Sequence, residues 1–114
     1  MRTYSQNIGA ERVKKFSISY LPIFDSDLAE AWHYIAFHLQ NRAAADRLVA
    51  DTEKAILKRL EMPTSFGQYH SKKEREHLYY RINIRNFTVW YVVKDNVMEV
   101  RRFLYSKRDN GELL

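Results

Sequence analysis

Four histidines, several helical carboxylates and a run of cations near the C-terminus are the side chains of this 114-residue chain with chemistry to offer. His33 and His38 are five apart. On a helix they point in different directions, whereas chelation wants a spacing of three or four. His70 and His77 flank a loop without an acidic or thiol partner at useful spacing. No metal and no cofactor is therefore expected. Asp46, Asp51 and Glu53 are spaced as a solvated helix face rather than a catalytic pair, and no GxGxxG, GxxxxGK or GxSxG motif is present. With no cysteine, thiolate chemistry and disulfides are excluded, which fits a reducing cytoplasm. What remains is Arg101-Arg102-Phe103-Leu104-Tyr105-Ser106-Lys107-Arg108-Asp109, where cations, a phenol and a carboxylate meet at the end of an apolar alternation. Such a set suits contact with a macromolecule carrying negative charge.

The elements that must position these residues follow from hydrophobic period. Phe16, Ile18 and Tyr20 alternate with Ser17 and Ser19, the pattern of a half-buried strand closed by Pro22. Asp27 with Glu30 makes a capping-box pattern at the start of a helix whose Leu28, Trp32, Ile35 and Leu39 share one stripe. After a break at Asn41, a second helix is predicted from about Arg42 to Met62, with Ala45, Val49, Thr52, Ile56 and Leu60 buried and Pro63 ending it. So short a link makes the two helices an antiparallel hairpin. A polar loop over 64–76 leads to three strands. Leu78, Tyr80, Ile82 and Ile84 alternate in the first; Phe87, Val89, Tyr91 and Val93 in the second; the third runs from Val97 to Leu104. Asn86 and Lys94-Asp95-Asn96 supply the turns. The order β-α-α-β-β-β predicts an α+β fold, a helical hairpin packed on a mostly antiparallel four-stranded sheet. Residues 1–14 read as a flexible N-terminal extension, and 15–114 as a single domain.

The net charge is +5, and it is uneven: residues 1–24 and 63–114 are basic, whereas 25–62 are net acidic. The segment holding both helices is thus ill suited to dock in a DNA groove. No apolar run reaches the ~20 residues of a membrane span, so no membrane partner is expected. If the first helix buries its Leu28/Trp32/Ile35/Leu39 stripe, Phe37 stands nearly opposite and Tyr34 well off it. Two exposed rings are candidates for a protein interface, where aromatics are enriched.

Several stretches resemble a known family. Phe24-Asp25-x-Asp27-Leu28-x-Glu30-x-Trp32-x-Tyr34-Ile35-Ala36 is similar to the first helix of the RelE/ParE superfamily of bacterial toxins. Ala43-Ala44-Ala45-x-Arg47-Leu48, Ile56-x-x-x-Leu60-x-x-Pro63 and Gly67 resemble its second helix and following loop. Tyr80-Arg81-Ile82, Phe87-Thr88-Val89-Trp90-Tyr91-Val92-Val93 and Glu99-Val100-x-x-Phe103-Leu104-Tyr105-x-Lys107-Arg108-Asp109 resemble its three-strand end. The ordered set covers residues 16 to about 110.

The resemblance implies the toxin of a type II toxin–antitoxin pair, neutralised by a cognate antitoxin protein and reaching operator DNA only through that antitoxin. Two activities exist in the superfamily: RelE-like members cut mRNA on the ribosome, and ParE-like members poison DNA gyrase without acting as nucleases. Cleavage through the 2′-hydroxyl needs a proton acceptor, cations on the phosphorane and an acid for the leaving oxygen. Set against RelE-like strands, Arg81 and Arg108 keep cations, but Asn83 and Thr88 are neutral. The resemblance therefore favours a ParE-like gyrase inhibitor over an enzyme. A ribosome-dependent endoribonuclease acting on mRNA, and a non-toxic protein-binding module on the same scaffold, stand as alternatives. Tyr105 and Ser106 replace the His-Gly pair common in ParE-like tails. Arg81, Tyr105, Lys107 and Arg108 are the candidate target contacts, and Tyr34 and Phe37 the candidate antitoxin contacts.

Overall fold

The computed structural model describes residues 2–5, 15–67, 78–108 and 110–114. Its elements are β1 (Arg2–Ser5), β2 (Ser17–Tyr20), α1 (Pro22–His33) continued by a π-helical turn (Tyr34–His38), α2 (Arg42–Arg59), β3 (Tyr80–Ile84), β4 (Phe87–Lys94), β5 (Val97–Tyr105) and a short α3 (Asn110–Leu113). His70 and His77 fall outside the described residues, as does most of the expected polar loop.

The expected α+β order is present: a helical hairpin lies on a sheet in which β2, β5, β4 and β3 are neighbours. β3–β4 and β4–β5 are antiparallel, and β2–β5 is parallel. A fifth strand extends this sheet: Arg2–Ser5, within the segment read from sequence as an extension, pairs antiparallel with β2. It covers the backbone edge of β2, whose residues Ser-Ile-Ser-Tyr carry no charge to discourage pairing with another chain. Both tight turns use positive φ, at Arg85 in one and at Asp95 and Asn96 in the other.

Between sheet and hairpin lies the main core. Ile18, Phe24, Leu28, Leu48, Ile56, Val89, Tyr91, Met98, Val100 and Phe103 are buried together there. A second, smaller cluster sits on the opposite sheet face, where Tyr79, Trp90, Val92 and Leu104 pack with Leu114. Strand alternation explains both, because successive side chains point to opposite faces.

α1 departs from the sequence expectation at both ends. It starts at Pro22 with Leu21 as N-cap and no side-chain cap, because proline at the first position has a preset φ and no N–H to leave unpaired. Asp27 is thus inside the helix and caps nothing. At the other end, the Leu39 N–H reaches back five residues to the Tyr34 carbonyl at 3.1 Å. One extra residue in a turn sets the following side chains back by about 100°. Ala36 consequently takes the buried position, and Leu39, expected in the core, is 57% exposed. Trp32 is half-buried, and its indole N–H donates to Asp46 Oδ1 at 2.8 Å, joining the two helices.

α2 follows its predicted stripe with one shift: Ala45, Leu48, Thr52 and Ile56 are buried, and Val49 is half-buried. Asn41 caps it through its side chain, accepting from the Ala44 N–H at 3.0 Å. It ends at Arg59, ahead of Pro63. Arg59 donates to the Tyr91 hydroxyl at 2.9 Å, and that hydroxyl donates to the Pro63 carbonyl at 2.8 Å, tying the end of the hairpin to β4.

Candidate functional site

The site grows from the place where β2 stops and β5 continues. Leu21 makes the last rung beside β5, its N–H donating to the Val100 carbonyl at 2.9 Å. Pro22 then turns the chain into α1, so the N–H of Phe103 has no strand beside it. Asp27 on α1 takes that place: its Oδ2 accepts from Phe103 N at 3.0 Å and from Arg102 Nε at 2.7 Å. Arg102 Nη2 donates to Asp27 Oδ1 at 3.1 Å, completing a bidentate pair, and Nη1 donates to the Leu113 carbonyl at 3.0 Å. The bonds from Asp27 raise the Arg102 pKa above its ordinary range, against the opposing effect of burial.

Beyond this pair the helix wall and the sheet end diverge. The groove between them has a volume of about 690 Å³. Its sheet wall carries Phe87, Phe103 and Tyr105, with Phe87 stacked on Phe103 at 4.8 Å and edge-on to Tyr105 at 5.7 Å. Its helix wall carries Ala31, Tyr34, Ile35 and Leu39. Asp27 and Glu30 add acid from the helix side, and Arg108 adds a cation from the sheet side.

Of the candidate residues, Tyr34, Tyr105 and Arg108 come together as lining of this one groove. Phe37 is exposed as expected but stands aside from the lining. Its ring lies against Trp32 at 5.7 Å and His33 at 5.5 Å. Lys107 is exposed in the turn after β5. Arg81 is exposed on the sheet face opposite the groove, because its neighbours Tyr80 and Ile82 point into the main core.

A bulge explains how the basic run divides. Trp90 pairs with Arg102 and Tyr91 with Val100, leaving Arg101 as the extra residue on β5. Arg101 donates to Glu99 at 2.7 Å and to the Tyr79 hydroxyl at 3.2 Å. Burial acts to lower its pKa, but these two partners outweigh that and raise it. Arg101 and Arg102 are thus bound within the fold, and Lys107 and Arg108 are the exposed cations of the run. On the far face, Asn83 and Thr88 are register partners. The Thr88 hydroxyl donates to Asn83 Oδ1 at 3.2 Å and lies 2.8 Å from the Ser106 hydroxyl. This hydroxyl–amide group is neutral. Among the described residues no group of three His, Asp or Glu side chains is placed to hold a metal.

A family model described as the ParE toxin of the type II toxin–antitoxin system parDE matches residues 18–110. The chain belongs to the ParE toxin family. The ParE match begins inside β2 and ends at Asn110, so β1 lies outside it. Among solved structures, a chain of the chromosomal ParDE toxin–antitoxin system from P. aeruginosa shares the ParE fold. The TM-score is 0.60 at 17% identity, covering 81% of this chain and 97% of that one. No curated protein matches the chain in sequence. Family membership makes this ParE-like chain a toxin component of a type II toxin–antitoxin system.

Sequence reasoning missed Phe87 and Leu39 as groove residues of the ParE-like domain, and Asp27 as the link to β5. Phe87 joins the groove through contacts between two strands, paired with Tyr105 and stacked on Phe103. The exposure of Leu39 depends on a π turn that leaves no periodic trace.

Proposed function

We propose that this chain inhibits DNA gyrase through the exposed edge Tyr105–Arg108, and that a cognate antitoxin neutralises it by filling the groove between α1 and β5. The observation that carries the reading is that Tyr34, Tyr105 and Arg108 line one groove. A segment bound against Tyr34 lies over the same surface that presents Tyr105 and Arg108. Antitoxin and target then compete, and neutralisation needs no change of fold. The occupant suited to this lining is a tail that folds on binding. Its apolar anchors meet Ile35, Leu39 and Phe87, and acidic side chains meet Arg108. Operator DNA is reached only through the antitoxin. The chain acts in the cytoplasm; among the described residues no helix is long and apolar enough to cross a membrane.

Ribosome-dependent mRNA cleavage is the weaker reading. The neutral Asn83–Thr88–Ser106 group offers no charge to a phosphorane, and a free phenol with a pKa near ~10 is a poor base at neutral pH.

The deciding experiment expresses the chain without antitoxin and assays the purified protein for inhibition of gyrase supercoiling and for cleavage of mRNA on translating ribosomes. Growth arrest with supercoiling inhibited, and both relieved by Lys107→Glu with Arg108→Glu, is the expected result. Message cleavage moves the chain to the nuclease branch. Harmless expression of soluble protein marks a binding module.

A further inference from the structure

Asn110 is a buried polar residue, 8% exposed, to which the function proposed above assigns no role. Its carboxamide sits where three parts of the chain meet. Oδ1 accepts the indole N–H of Trp90, on β4, at 2.7 Å. Nδ2 donates to the Tyr105 carbonyl at 3.2 Å and to the Arg108 carbonyl at 3.0 Å. Those two carbonyls bracket the turn that carries Ser106 and Lys107. The sheet side of the same turn is fixed separately: the Ser106 N–H donates to the Asn86 carbonyl at 2.7 Å, and the Ser106 hydroxyl meets Thr88 at 2.8 Å.

A primary amide offers two donors and an acceptor in one plane, and Asn110 has partners for all three. An aspartate would keep the acceptor for Trp90 but lose both donors, and would turn an oxygen toward two carbonyl oxygens. A leucine would lose all three bonds. The amide therefore does two separable things: Oδ1 anchors the tail to the sheet, and Nδ2 pins the turn.

We infer that Asn110 is a positioning residue, which holds the turn carrying Lys107, and Arg108 at the groove, in place before any partner arrives. This rests on the proposal that the turn is the contact surface. A preformed turn has less conformational freedom to lose on binding, so its partner binds more tightly for the same contacts.

The test compares Asn110→Asp with the parent chain, both carrying Trp32→Phe so that emission reports Trp90 alone. In Asn110→Asp the Trp90 emission stays in place and the chain remains folded. The Arg108 amide, which donates to the Tyr105 carbonyl, exchanges about ten-fold faster, while the Ser106 amide stays protected by the Asn86 carbonyl. The inducer dose needed for growth arrest rises by a similar factor, about ten-fold, toward that of the Lys107→Glu, Arg108→Glu double variant. Asn110→Gln, which displaces the same donors by one methylene, reads the same quantities should the aspartate fail to fold. Unchanged amide exchange in the turn overturns the inference. So does faster exchange with full arrest retained, when charge reversal abolishes arrest. Arrest that survives the charge reversal itself defeats the proposed contact surface instead, and the exchange rates still decide whether Asn110 holds the turn.

Discussion

Asp27 and Arg102, 75 positions apart in sequence, form a bidentate ion pair with contacts of 2.7 and 3.1 Å, and the same carboxylate takes the Phe103 N–H at 3.0 Å. One side chain of α1 therefore substitutes for the missing strand beside β5. It also forms part of the groove. Removing it strands a mostly buried guanidinium and a backbone donor. Asp27→Ala is expected to cost about 2–4 kcal/mol, measured by urea unfolding, with Asp27→Asn intermediate. A loss under about 0.5 kcal/mol would show the pair to be dispensable.

The two exposed rings of the first helix have different surroundings, and this separates their effects. Tyr34 lines the groove, whereas Phe37 packs on Trp32 and His33 beside it. Tyr34→Ala should weaken antitoxin binding by about 2 kcal/mol, and Phe37→Ala by less than about 1 kcal/mol. Titration calorimetry with the purified antitoxin reads both. Equal losses would move the binding surface to the outside of the hairpin.

Tyr91 supplies a pH dependence. Burial pushes its phenol above the ordinary value of 10.0, and the Arg59 guanidinium, donating to it, only partly opposes this. A folded-state pKa above the unfolded one favours the protonated form on folding. The stabilisation is complete below pH 10 and falls as pH rises through the folded value. Stability measured between pH 8 and pH 11 should therefore decline more steeply in the parent than in Tyr91→Phe. Parallel declines would remove Tyr91 from the alkaline transition.

Thr52 is fully buried in the stripe of α2, and its hydroxyl has no hydrogen-bond partner among the described residues. Valine has nearly the same shape without the polar atom. Thr52→Val is expected to stabilise the fold by about 1 kcal/mol, seen as a higher melting temperature. A lower melting temperature would mean that the hydroxyl is satisfied in solution.

Much of the scaffold was legible because its signals are local. The alternation from Tyr80 to Ile84 and from Phe87 to Val93, the helix break at Asn41 and the Asp95-Asn96 turn all appear where the sequence places them. The start of α1 was not. Asp27 and Glu30 fit a capping box as well as any real one, and Pro22 prevails because proline at the first helical position needs no cap. Trp90 and Leu104 alternate away from the helices, and only the returning tail, through Asn110 and Leu114, shows that they are covered.

The sequence by itself determined the β-α-α-β-β-β order of the central elements, the helical hairpin, the meander and the family, but not the added strand β1 or the short helix α3. What it determined depends on residue period, turn chemistry and an ordered set of short patterns, none of which reaches far along the chain. Tertiary structure decided which residues share a site. It brought Tyr34 to Tyr105 and Arg108, turned Arg81 to the other face, and engaged Arg101 and Arg102 inside the fold. The reason is geometric: one extra residue in a helical turn, and one in a strand, each redirect the side chains that follow, and only packing against distant partners selects where they fall.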